Sequence, residues 1–290
     1  MAPPGDPLSV DRSLLPGKLN QAIWRRAEDQ VWQRDNWGWR ARFGVLIVAN
    51  EPIPEAEWWA MAPPGVSIHA ARVTARAPWA EADGTPSPDL ARGAEQLGRM
   101  RLGAMVVGHS SSSFAGGKGW DEAAVSRLQR LANGVPVSTN GLDTLAAMRA
   151  LGLRRPFVVM PPWYSDAILE AGSRYFADWG VSLAAQIRFD PGPAWRDLPP
   201  GEIHNAGAVW DQDPEPLYQQ ARRACPADAD GVFIAGTGFR AVAVIEALEQ
   251  DLGRPVLTAN QVSLWRCLQT AGVRAPVKGY GRLFDVREAP

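Results

Sequence analysis

The sequence predicts an α/β protein made of two pseudo-symmetric halves, each a parallel sheet with helices on both faces. Three observations predict it. Short, largely apolar runs such as Arg42–Val48 and Phe157–Met160 alternate with helix-length amphipathic stretches, the rhythm of strands buried on both faces of a sheet. One unit occurs twice: Ala104-Met-Val-Val-Gly-His109-Ser110-Ser111 leads through a helix to Gly134-Val-Pro-Val, and Gly231-Val-Phe-Ile-Ala-Gly236-Thr237-Gly238 leads through a helix to Gly253-Arg-Pro-Val. Finally, the unusual residues gather at the carboxyl ends of the predicted strands, where ligands of open α/β sheets bind.

Composition narrows the function classes. The hydrophobic fraction of 46% and charged fraction of 21% suit a folded globular chain of 290 residues, and a net charge of −1 offers no basic stripe for nucleic acid. No apolar run is long enough to span a bilayer. The start, Met1–Asp6, lacks a basic and apolar leader pattern, so a cytoplasmic location is expected. Two cysteines, Cys225 and Cys267, give no disulfide framework, and the three histidines, His69, His109 and His204, have no metal-ligand spacing. Neither a metal nor another cofactor is expected.

Taken in chain order, residues 1–40 form a Trp-rich extension with a helix through Leu19–Gln33. Trp24, Trp32, Trp37 and Trp39, followed by Trp58 and Trp59, either pack over the first half or cover a substrate or homodimer interface. The first half is expected over 41–152: strand Arg42–Val48, a short helix Glu55–Met61, strand Val66–Val73, helix Pro88–Leu102, then the first repeat unit. The second half is expected over 153–259: strand Phe157–Met160, helix Asp166–Gly180, strand Val181–Phe189, a Pro/Gly-rich stretch Asp190–Asp211, helix Pro214–Ala224 and the second repeat unit. The segment of about 260–285 is expected to pack back on the first half.

The candidate site follows from the duplication, because facing strand ends make a cleft. His109 stands opposite Gly236, so the two walls are chemically unequal. An imidazole titrates near neutral pH and can move a proton; a buried histidine satisfied by a backbone carbonyl is the competing reading. Ser110 and Ser111, and across the cleft Thr237 and Gly238, offer hydroxyls and amides at strand-to-helix turns, an anion cradle on each side, although such residues also serve as plain helix caps. Asn50 and Glu51 end the first strand, Glu51 being either a base or, preferably, an acid favoured at a helix start. Trp163 and Tyr164 end another strand and can donate to an oxyanion. His69 and His204 have no supporting context and are read as structural or solvent-facing.

Five motifs carry a family resemblance: Trp39–Val45, Ala62–Arg72, His109-Ser-Ser-Ser-Ser-Phe114, Asp230–Arg240 and Gly279-Tyr-Gly-Arg-Leu-Phe284. Together, over about residues 38–285, the chain resembles the maleate cis-trans isomerase and arylmalonate decarboxylase branch of the aspartate/glutamate racemase superfamily. The resemblance implies two flavodoxin-like lobes with a cofactor-free site between them. It also implies a cysteine on each lobe for racemases and maleate isomerases, at the positions of His109 and Gly236, and only the second cysteine for decarboxylases. This chain has neither. Ser110, Ser111, Thr237 and Gly238 match the carboxylate-cradling positions, Trp163 stands where a tyrosine is usual with Tyr164 beside it, and Asn260 matches a polar substrate contact.

Without either thiol, two-base racemisation and thiolate addition to an alkene both lack their reagent. One-sided proton delivery by His109 to an enediolate remains, which fits decarboxylation of a small carboxylic or dicarboxylic acid, with isomerisation or tautomerisation as the alternative. A hydrolase using His109 on water or a hydroxyl, and a non-catalytic carboxylate-binding paralogue, stay open. On this reading a cysteine restored at position 236 is expected to bring activity.

Overall fold

The structure is a computed structural model and describes residues 37–74 and 77–287; the expected helix Leu19–Gln33, with Trp24 and Trp32, lies outside the described residues. Two four-stranded parallel sheets form. The first has order β2-β1-β3-β4, from β1 (Ala41–Val48), β2 (Val66–Val73), β3 (Ala104–Val107) and β4 (Val137–Thr139). The second has order β6-β5-β7-β8, from β5 (Phe157–Met160), β6 (Ala185–Arg188), β7 (Val232–Ile234) and β8 (Val256–Thr258). The orders are identical when strands are counted from the start of each half, so the duplication spans whole lobes and not just the repeated units. Register agrees: Met105 pairs with Val137 as Val232 pairs with Val256.

The helices are α1 (Ile53–Met61), α2 (Pro88–Gly98), α3 (Ser110–Gly116), α4 (Trp120–Leu131), α5 (Asn140–Ala150), α6 (Asp166–Asp178), α7 (Pro214–Ala224), α8 (Ile245–Leu252) and α9 (Ala259–Thr270). Equivalent threonines start α5 and α9. Thr139 accepts the Leu142 N–H, and Thr258 forms a reciprocal capping box with Gln261.

Strand alternation sorts the core. Leu46, Met105 and Val107 face α2 and α4 through Leu90, Ala94, Trp120 and Leu128, whereas Phe43, Val45 and Val106 share a cluster with Leu264 and Leu268 of α9. Val158, Met160, Phe233 and Leu257 of the second sheet pack with Leu145 and Met148 of α5. The final helix of each lobe thus crosses to the other lobe's sheet.

Several boundaries shift from the sequence expectation. Helix α2 ends at Gly98, where a Cβ would run into the Ala132 backbone, and the strand expected over Val181–Phe189 is confined to Ala185–Arg188. The Pro/Gly-rich stretch holds a helical turn, Pro200–Ile203, and a π-helical turn, His204–Ala208, broken at Gly207 with φ 121°. No helix among the described residues is long and apolar enough to cross a membrane.

Candidate active site

A cavity of about 540 Å³ opens between the carboxyl ends of the two sheets. His109, Ser111, Asn50 and Glu51 line it from the first lobe; Trp163, Tyr164, Gly236, Thr237 and Gly238 line it from the second. Gly201, His204 and Asn205 of the Pro/Gly-rich segment close one side. That segment is tied down across the cleft by Trp210, whose Nε1 donates to the Asn50 carbonyl at 2.9 Å.

Two expected contacts stay away from the cavity. Ser110 is buried and donates its hydroxyl to Asn140 Oδ1 at 2.5 Å. Asn260 is also buried; its Nδ2 donates to Glu57 Oε2 at 2.7 Å and to the Thr237 carbonyl at 2.8 Å. Both serve the frame of the cleft, because polar groups this deep take protein partners.

The two cradles are not equivalent. On the first lobe α3 begins directly at Ser110, with His109 as its N-cap residue. On the second lobe no helix begins at the matching point: Thr237–Arg240 is an irregular turn, and the next helical residues are Val242–Val244. The Thr237 hydroxyl is spent across the cleft on the Gly108 carbonyl at 2.9 Å. Over Gly238 lies the carboxylate of Glu51, so close that a Cβ there would fall 2.2 Å from Oε1. The protein's own acid therefore covers the second cradle.

Glu51 is not a helix-start acid. It precedes Pro52, the N-cap residue of α1, and is only 4% exposed. Arg72 on β2 fixes its loop by donating to the Ala49 and Glu51 carbonyls, each at 3.1 Å, and pairs with Glu55. Glu51 Oε1 meets His204 Nε2 at 3.2 Å, while Oε2 is buried with no hydrogen-bond partner. Burial pulls the His204 imidazole down, but the hydrogen bond and charge of Glu51 outweigh it and hold His204 above its ordinary value. The Trp163 ring meets His204 edge-on at 5.3 Å. His204, which lacked any supporting context in the sequence, is thus the histidine of the cavity whose protonated form the fold favours.

His109 faces the cavity but does not titrate near neutrality. Burial, aided by His204, pushes its imidazole down to about 3. Its Nδ1 lies 2.7 Å from Ser112 Oγ, its Nε2 lies 2.9 Å from Ser111 Oγ, and its ring stacks on Trp79 at 4.1 Å. Tyr164 stands beside Ser110 and Ser111; burial, followed by the charge of Glu51, raises its phenol, so it remains a neutral O–H donor.

Gly236 has φ 87°, and a Cβ would fall 2.3 Å from Pro161 Cγ. The position lines the cavity, and a side chain there would need Pro161 to shift. Behind the cavity, Glu57 of α1 accepts the Ala241 and Val242 N–H groups at 2.6 and 3.0 Å. Burial lifts its carboxyl to about 7. Its only sequence signal is an acid on the buried side of α1. Among the described residues no three His, Cys, Asp or Glu side chains gather as metal ligands.

A model of the arylmalonate decarboxylase family matches residues 89–284 of this chain. The chain belongs to the arylmalonate decarboxylase family. Arylmalonate decarboxylase from Bordetella bronchiseptica is 30% identical over 188 residues, covering 64% of this chain and 73% of that protein. Maleate isomerase from Pseudomonas putida S16 shares the fold with a TM-score of 0.71 at 20% identity, over 84% of this chain and 98% of that one. Unliganded arylmalonate decarboxylase shares it with a TM-score of 0.67 at 22% identity, over 84% and 99%. The branch and the two-lobed α/β fold are those the motifs resemble, and membership of the arylmalonate decarboxylase family makes this chain an enzyme of that branch.

Proposed function

We propose that this protein decarboxylates a small malonate-like acid, without a cofactor, by one-sided protonation of an enediolate. The observation that carries the reading is the His204–Glu51 pair. It puts one titrating group on one side of a cavity whose two thiol positions hold a neutral imidazole and a bare glycine. Ser111 and Tyr164 donate to the carboxylate that the substrate keeps, and their hydrogen bonds strengthen as that group takes up the electrons of the breaking C–C bond. The departing carboxylate meets apolar lining such as Trp163, Ile168 or Val73, where poor solvation favours release of neutral CO₂. Protonated His204 then gives its proton to the carbon and is reprotonated from solvent, with Glu51 holding the charge in place.

Racemisation needs a base on each face, and isomerisation by addition needs a thiolate; these positions supply neither. The test is incubation of the purified protein with phenylmalonate, methylmalonate and maleate in D₂O. Release of CO₂ with a single deuterium of one configuration is expected. Fumarate from maleate would favour the isomerase reading, and binding of all three without product would favour a carboxylate-binding role.

A further inference from the structure

Ser111 Oγ stands 2.9 Å from His109 Nε2, the spacing of a nucleophilic serine and its base. Which atom holds the shared hydrogen decides whether Ser111 attacks a substrate or donates to it. The opposite ring nitrogen makes that choice. Nδ1 lies 2.7 Å from Ser112 Oγ, and the same oxygen accepts the Trp79 backbone N–H at 3.0 Å. Ser112 is wholly buried. With Trp79 occupying one lone pair, the Ser112 hydrogen needs an acceptor, and Nδ1 is the one in place. A hydrogen on Nδ1 would leave two N–H donors on one oxygen and an O–H aimed at nothing in a dry core, which native proteins avoid.

Nδ1 is therefore bare, and the hydrogen sits on Nε2 and points at Ser111. Stacking on the Trp79 ring at 4.1 Å, with 15° between planes, blocks the ring flip that would exchange the two nitrogens. Ser111, having accepted from Nε2, turns its own O–H toward Tyr164 and the cavity.

We infer that His109 is a positioning residue, locked in one tautomer by Trp79 and Ser112, which makes Ser111 a compulsory donor to the substrate carboxylate and bars it from acting as a nucleophile. The inference rests on the proposed decarboxylase reading for its ligand, and it closes the hydrolase alternative. Burial keeps the ring neutral down to about pH 3, so no change of charge releases the lock in the working range.

Long-range ¹⁵N–¹H correlation on histidine-labelled protein reads the tautomer directly. Expected is an Nε2–H pattern for His109 that stays constant from about pH 5 to about pH 8. Treatment with a fluorophosphonate is expected to leave Ser111 unmodified by peptide mass spectrometry. An Nδ1–H pattern, a titration near neutrality or a phosphonyl adduct on Ser111 would each overturn the inference. None of these readouts needs turnover, so they separate failure of the lock from failure of the decarboxylase reading.

Discussion

Replacing Gly236 with cysteine is the substitution the sequence resemblance invites, and the structure predicts that it costs stability before it offers chemistry. The backbone at 236 has φ 87°, a region where a side chain costs about 1–2 kcal/mol. The new Cβ would lie 2.3 Å from Pro161 Cγ, and a forced fit of this kind costs about 1–3 kcal/mol more. Together the penalty is about 2–5 kcal/mol, or roughly 3–8 °C in Tm for a chain of this size. Thermal unfolding followed by circular dichroism measures it. Pro161→Ala beside Gly236→Cys removes the ring carbon and leaves the backbone term, so the double variant is expected to recover about 1–3 kcal/mol relative to additive single effects. A single variant that melts within 2 °C of wild type, or a double variant with no recovery, would refute the steric account.

The remaining predictions concern the acids of the cleft. His204 is raised in the fold, so its protonated form is complete below its ordinary value near 6.5 and is lost as pH rises through the folded value; the rate should therefore fall on the alkaline side. Glu51→Gln should move that limb to lower pH and reduce kcat by about 10²–10⁴, read from initial rates. Gly238→Ala places a methyl where Glu51 Oε1 now sits; the carboxylate should be expelled and the His204 titration, followed by NMR, should drop. Glu57 holds its proton to about pH 7 in the fold against 4.5 in the unfolded chain, so its own contribution to stability should be greatest below about 4.5 and fall by roughly 3 kcal/mol by about pH 7. Asp143, raised to about 7 by its own burial, adds a slope of the same sign, so urea titrations across that range should show a shallower slope in Glu57→Gln than in wild type.

The lobes were legible because their signals are local. Apolar strands, Gly-x-Pro-Val marks and strand-end hydroxyls each occupy a few consecutive residues, and β3 and β7 carry both strand and turn within one short span. Nine of the positions singled out in the sequence line the cavity for that reason. The chemistry was less legible because it is made by long-range partners. Glu51 and His204 are separated by 153 residues, and His204 sits in a stretch with neither helical nor strand periodicity. Trp79, which fixes the His109 ring, reaches Ser112 over 33 residues. Strand-end position identified His109 as a residue of the cleft, but its charge state depends on neighbours that only folding assembles.

Helices α5 and α9 each begin at the end of one sheet and bury their apolar side against the other. Like two people with crossed arms holding hands, neither half can swing away without tearing out its partner's last helix. Opening the cleft as a hinge would have to pull each of these helices off the opposite sheet. The span that carries His204 closes one side of the cavity, so mutations there should alter the speed of entry and exit.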